Sequence, residues 1–160
     1  MPASETSTIA RALGRIPSGL FVVTTLNERE PEGFVGSFLM QMGFEPPTVC
    51  MAVGRTRPHL EYLRRSGHFA VTILDKSSSG LMAPFFKKSP DGKSPFDGQS
   101  VLSTPVGSPV LAEGLAWLAC RVIGEHAAGD HVAVFGEVVD GALLREGDPT
   151  VHLRKNGLSY

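Results

Sequence analysis

Three glycines and a pair of arginines carry the chemistry that stands out in this chain. Gly33, Gly36 and Gly43 interrupt the strand-like run GFVGSFLMQMGFEPP, residues 33–47. Glycine weakens a strand, so its repetition calls for a bulge or for a flat ligand lying against bare backbone. Further on, Gly54-Arg55-Thr56-Arg57-Pro58 sets guanidinium groups and free N–H donors where a helix begins. That arrangement suits an anion such as phosphate. A flat body on a strand, with a phosphate at a helix start, outlines a mononucleotide, and a flavin is the natural reading. The plainer alternative leaves Arg55 and Arg57 as solvated charges beside a turn and Thr56 as an ordinary N-cap.

Other residues divide in the same way. Phe85, Phe86, Lys87 and Lys88 read as a helix end with core aromatics and exposed lysines, or as wall and charge for the same cofactor. His131, beside the Gly129-Asp130 turn, is a strand-edge histidine or a polar group at the mouth of the pocket. Trp117 reads as core. Gly92-Lys93-Ser94 resembles the end of a P-loop, but Lys87 stands where its first glycine is required. The chain has no G-x-G-x-x-G, no G-x-S-x-G and no H-E-x-x-H, and its five histidines are scattered. Cys50 and Cys120 sit in apolar runs without metal-ligand spacing and read as buried small hydrophobes.

The elements that position these groups follow from periodicity. With 160 residues, 42% hydrophobic, the chain reads as one domain spanning 1–160. Its 18 Gly and 12 Pro favour a turn-rich β fold. A net charge of -1 supplies no global field for nucleic acid or anionic lipid. No apolar run is long enough to span a membrane and the N-terminus lacks a signal-peptide pattern, so a cytoplasmic location is expected. Beginning at Met1, the chain is read as standalone.

Residues 4–16 read as an amphipathic helix with Ile9, Leu13 and Ile16 on one face. Strands are expected at 19–26, from Gly33, at 48–53 (buried on both faces), 68–74, 115–125 and 131–139, with a turn at Asp140-Gly141 and the tail returning as a short strand or arm. Thr56 caps a helix with Leu60 and Leu63 buried and Gly67 as its stop. Pro84 limits a second short helix within 77–88, and 89–111 reads as a long surface loop. The sum is mainly β: six or seven antiparallel strands, hairpin-connected, with two or three short helices, arranged as a barrel.

The chain resembles the flavin reductase family, whose fold is the FMN-binding split barrel. The framework of Gly33, Ser37-Phe38 and Pro46-Pro47 resembles the family's flavin-binding strand. Met51–Val53 with Gly54-Arg55-Thr56-Arg57 resembles its phosphate-binding turn. SGHFAVTIL (66–74), GSPVLAEGLAWLACRV (107–122) and GDHVAVFGEV (129–138) follow in the family's order. The ALGRI and FEPP wording is similar to the flavin-reductase modules of flavodiiron proteins, and the likeness runs from about Ala12 to the C-terminus.

That resemblance implies a homodimer binding FMN, with FAD possible, between residues 36–41, residues 54–59 and a neighbouring subunit. It assigns cofactor contacts to Val35, Gly36, Ser37, Phe38, Gln41, Gly54, Arg55, Thr56, Arg57, His59, Phe86 and Lys87, and the nicotinamide pocket to His131 and Tyr160. Hydride would pass from NADH or NADPH to the flavin without an acid–base residue, and on to a monooxygenase or another electron-accepting partner. Val35-Gly36-Ser37-Phe38 stands where many members carry Thr-Ala-Asn-Ser, which alters side-chain contacts at positions 35 and 38. A non-enzymatic FMN-binding electron carrier and a pyridoxamine-phosphate oxidase-like flavoprotein share the fold and are the alternatives.

Overall fold

The structure is a computed structural model describing residues 3–159. Tyr160, expected at the nicotinamide pocket, lies outside the described residues. Seven strands form one antiparallel sheet: β1 (Phe21–Asn27), β2 (Glu30–Gly36), β3 (Leu39–Phe44), β4 (Pro47–Gly54), β5 (His68–Ile73), and, after a short ribbon, β8 (Ala116–Ala128) and β9 (His131–Leu143). Their spatial order is β2-β1-β5-β8-β9-β4-β3.

This order fixes the shape. β2 and β3 occupy opposite edges of the sheet, yet only Ser37 and Phe38 separate them in sequence. A flat sheet would hold its edges about 29 Å apart, six spacings of about 4.8 Å. The link from Gly36 to Leu39 spans at most about 11 Å. The sheet therefore curls until its edges approach, giving an open, split barrel. The Ala52 N–H donates to the Phe38 carbonyl at 2.9 Å, extending the β3–β4 ladder into this link.

Alternation along the strands fills the curl. Val23, Phe34, Val49, Met51, Val53, Phe69, Val71 and Val134 point inward and pack with Leu60 and Leu63 of the helix α2 (His59–Ser66). Gly67 ends α2 at φ 72°, its N–H donating to the Leu63 carbonyl at 2.9 Å. Gly136 lets the buried Phe69 ring lie on β9, since a Cβ there would stand 2.6 Å from Phe69 Cζ. β1 is buried on both faces: Val22 turns outward and packs with Leu74, Phe85 and Leu111 beneath a 3-10 helix, Ser79–Phe85.

Several expectations are corrected. The first helix, α1 (Ala3–Leu13), stops short of Ile16, and its apolar face is open: Ile9 is 55% and Ile16 57% exposed, with Ala10 buried instead. Thr56 does not cap α2. Pro58 holds that position without a side-chain bond, and the preceding turn supplies carbonyls to Arg57 and Leu60 N–H groups instead. β4 is not buried on both faces, because Cys50 and Ala52 are half-buried. Asp140 and Gly141 lie inside β9, paired with Ala119 and Leu118, so they are not a turn. Trp117 is half-buried on β8 rather than core.

The 89–111 segment carries a two-stranded ribbon, β6 (Val101–Leu102) with β7 (Val110–Leu111), whose second strand is fully buried. The tail is an arm, tied by reciprocal Ser18 and His152 backbone bonds at 3.0 and 2.7 Å. Among the described residues no helix is long and apolar enough to cross a membrane.

Candidate functional site

β2 is an edge strand, so half of its backbone N–H and C=O groups have no ladder partner. Two adjoining cavities open along it and share Arg57, Phe85 and Phe86. One is a slot of about 260 Å³ lined by Leu20, Val35, Ser37, Met82, His152 and Arg154. The other is a cleft of about 410 Å³ between β2 and the chain after the 3-10 helix, reached by Glu30, Glu32, His59, Lys87 and Lys88. Arg57 is where they meet.

The three glycines now have separate causes. At Gly33 the Phe85 ring lies on the backbone, where a Cβ would come within 2.7 Å of Phe85 Cε1, so Gly33 seats a wall of both cavities. Gly43 sits where the β3–β4 register shifts, the bulge that glycine in a strand suggests. Gly36 ends β2 at the seam, beside Phe38, Ala52 and Gly54.

Arg57 is held by aromatic packing. Its guanidinium carbon lies 5.7 Å from the Phe34 ring centroid, and the His59 ring lies 4.8 Å from the same ring. Burial pushes the His59 pKa down to about 4, the positive charges of Arg57 and Lys88 push the same way, and bonding to the Gly33 backbone opposes them. His59 is thus neutral at pH 7, and its buried Nδ1 has no hydrogen-bond partner. Arg57 and Lys88 line the same cleft, and the charge of each reaches His59.

A second group surrounds Phe38. Arg154 stands over its ring at 4.3 Å, and His131 meets it edge-on at 5.6 Å. His131 Nδ1 lies 2.7 Å from Asp130 Oδ1. That bond, the His131 charge and the more remote Arg55 charge hold the Asp130 carboxyl below its usual range.

The sequence-expected residues therefore separate. Val35 and Ser37 line the slot, while Gly36, Phe38 and Gly54 line the seam next to it. Arg57, His59, Phe86 and Lys87 line the cleft. Arg55 and Thr56 are exposed and line neither cavity; the Arg55 N–H is engaged by the Asp130 carbonyl at 2.9 Å. Gln41 is opposite Val49, five residues along β4 from Gly54, or about 17 Å away at strand rise.

Sequence reasoning missed Glu30, Glu32, Met82, His152 and Arg154. The glutamates sit in what reads as a polar turn. His152 and Arg154 reach the slot only through the non-local Ser18–His152 bridge, which has no local signal. Among the described residues no cluster of His, Cys, Asp and Glu could hold a metal. Cys120 is buried with its thiol pushed up to about 12, which makes it inert as a nucleophile. The site is built for binding: an apolar slot, an open backbone edge and a cationic cleft.

Residues 13–157 match the flavin reductase like domain family. The reductase subunit HsaB of a flavin-dependent monooxygenase from Rhodococcus jostii (strain RHA1) is 31% identical over 142 residues, which cover 89% of this chain and 71% of that protein. Diflavin flavoprotein A 1 of Synechocystis sp. is 31% identical over 156 residues, covering 96% of this chain but 27% of the relative, so the chain spans about a quarter of that protein. Among solved structures, a homologue of nitrilotriacetate monooxygenase component B from Mycobacterium thermoresistibile superposes with a TM-score of 0.85 at 28% identity, over 96% of this chain and 85% of that one. The NADH:FAD oxidoreductase of Streptomyces globisporus C-1027 gives 0.84 at 25% identity, over 96% and 91%.

Proposed function

The chain belongs to the flavin reductase like domain family, and from that premise we propose that it is an NAD(P)H-dependent flavin reductase whose flavin occupies the slot and meets Arg57. One observation carries the reading: Arg57 joins an apolar slot beside an open strand edge to a cationic cleft. A flavin needs those three things, a flat apolar bed, donors and acceptors for its polar edge, and positive charge for its phosphate.

The residues fit the group. Val35, Met82 and Phe85 supply the bed, and the backbone from Val35 to Phe38 with the Ser37 hydroxyl supplies the polar edge. Backbone recognition accommodates the Val35-Gly36-Ser37-Phe38 sequence without the hydroxyls of other family members. Arg57, fixed by Phe34, takes the phosphate, and FMN is the smallest flavin that uses every part of this arrangement. Phe86, 64% exposed, shields the lip from water. His131, Phe38 and Arg154 frame the seam as the face on which a nicotinamide stacks.

The bound flavin supplies the redox chemistry, taking two electrons from a reduced nicotinamide and handing them to an acceptor. The protein orients both rings and keeps water out; no side chain needs to move a proton. The electron acceptor is a monooxygenase or comparable partner, in keeping with the named role of the Rhodococcus relative. We read residues 1–160 as one domain of a cytoplasmic homodimer, with the open apolar residues Ile9 of α1, Ile16 beyond its end, and Met40, Met42 and Phe44 of edge strand β3 as faces for the second copy.

The test is an anaerobic spectral titration of the protein with FMN, followed by NADH and then NADPH. Bleaching of the flavin band faster than for free flavin supports the reductase and names its donor. Flavin bound but not bleached favours the electron carrier or the oxidase-like reading. A protein that binds no flavin refutes the assignment.

A further inference from the structure

The end of α1 and the C-terminal arm meet at a place that the flavin reading leaves unused. Two glycines let them touch: a Cβ at Gly14 would run into the Arg154 carbonyl, and one at Gly157 into Leu13 Cβ. The Gly157 N–H donates to the Ala10 carbonyl at 2.8 Å, and Arg15 Nη2 donates to the Arg154 carbonyl at 3.1 Å. Here lies a concave site of about 470 Å³, lined by Thr8, Arg11, Ala12, Arg15 and Lys155. Three of these five residues are cationic and none is acidic, in a chain whose net charge is -1. Among the described residues no ion pair takes up the three cations, whereas Arg64, Arg121, Arg145 and Lys93 each hold a carboxylate.

Clustered like charges repel one another, and an anion between them relieves that repulsion. The C-terminus of a helix opposes an anion with the equivalent of about half a negative charge. In α1 the last carbonyls are already engaged, Ala10 by Gly14 and Gly157, Ala12 by Arg15 and Leu13 by Ile16, and three full positive charges outweigh the remainder. Guanidinium forks match phosphate oxygens in pairs, and Lys155 adds a point charge on a flexible stem. No aromatic side chain lines the site, so nothing there stacks on a base. We propose that this is a binding site for a small phosphate-bearing anion without an aromatic body, held by Arg11, Arg15 and Lys155. Bound there, the anion ties α1 to the arm. The same arm carries His152 and Arg154 to the slot, so the anion steadies two residues of the slot's wall. The binding itself does not rest on the flavin reading; only the benefit to a flavin does.

The probe is inorganic pyrophosphate, titrated calorimetrically into the protein at low salt, with sulfate at equal ionic strength as the control. Pyrophosphate is expected to bind more tightly than sulfate. The double variant Arg11→Gln/Lys155→Gln, which keeps the Arg15 contact to the arm, should weaken it about tenfold or more. Circular dichroism and a melting curve check that the variant folds. Arg57→Met should retain the binding, since Arg57 lies in the flavin site and not in this one. Hydrogen exchange supplies the location: the Gly157 and His152 amides, bonded to the Ala10 and Ser18 carbonyls, should exchange more slowly with pyrophosphate present. Equal binding by the folded double variant, loss of binding in Arg57→Met, sulfate binding as tightly as pyrophosphate, or unchanged exchange at both amides overturns the proposal. Pyrophosphate binding of the expected pattern by a protein that binds no flavin upholds this site and refutes the slot.

Discussion

Replacing Arg57 with methionine separates charge from shape at the point where slot and cleft join. Methionine keeps a long apolar stem against Phe34 and removes the guanidinium that stands 5.7 Å from that ring. A charge-assisted hydrogen bond contributes about 1.5–3 kcal/mol, and the lower end applies because Arg57 is only half-buried. FMN affinity should therefore fall about tenfold or somewhat more. Riboflavin, which has no phosphate, should lose little. His59 provides an internal check: the Arg57 charge is the second cause of its depressed pKa, after burial. In Arg57→Met that pKa should move up from about 4, yet stay below the free-histidine value of 6.5. Fluorescence titrations with FMN and riboflavin, and an NMR pH titration of the His59 ring, read both effects. Arg55→Met, at a side chain lining neither cavity, should weaken FMN less. Equal losses for FMN and riboflavin, or a His59 pKa that does not move, would refute the reasoning.

Acidification should destabilise the fold through His59. Its folded pKa of about 4 lies below the unfolded value of 6.5, so the unfolded chain binds the extra proton first and stability is lost as pH falls from 6.5 towards 4. The full linkage is about 3.4 kcal/mol, discounted to about 1.5–2 kcal/mol because His59 is only half-buried; urea melts at pH 7 and pH 4.5, repeated with His59→Phe, measure it. Asp75 accepts bonds from Ser78 and Arg145 that hold its carboxyl well below the usual range. Asp75→Asn should lower Tm at pH 7, and the deficit should shrink as pH falls below about 4, where Asp75 of the unfolded chain takes up a proton while the folded carboxylate stays ionised. Gly136→Ala drives a methyl towards Phe69 and Cys120. The expected cost is about 1–3 kcal/mol, read as a Tm lowered by about 2–4 °C for each kcal/mol. Native protein should resist thiol reagents at Cys120, whose thiol is buried and pushed up to about 12, until denaturant is added; rapid native labelling there would contradict its placement.

Much of the fold is legible locally. The β-branched runs at 21–26 and 68–73 become β1 and β5 because side-chain alternation is written residue by residue. Gly67 stops α2 because only the left-handed region allows that turn. The candidate site is less legible. Arg55 and Arg57 look alike in sequence, yet one faces the Asp130 turn and the other enters the cleft, a choice made by the tight turn in which the Arg57 N–H donates to the Gly54 carbonyl. Ile9, Leu13 and Ile16 have the spacing of a buried stripe, but spacing cannot say which surface covers it. Trp117 has the size of a core residue, but it stands near the start of β8, where the first three residues are only half-buried.

Sequence alone therefore determined most of the longer strands, the helix stop at Gly67, the absence of metal-ligand spacing and the family, because propensity, turn chemistry and ordered motifs are properties of neighbouring residues; it ran β2 and β3 together as one strand from Gly33 and left out β6 and β7. Tertiary structure decided the strand order, the curl forced by a two-residue link between opposite edges, and the meeting of β2, Arg57, the 3-10 helix and the C-terminal arm around one pair of cavities. Those contacts join residues as far apart as Ser18 and His152. Which distant segments meet is settled by the packing of the whole chain, where burial of a shared core outweighs the entropy of closing long loops.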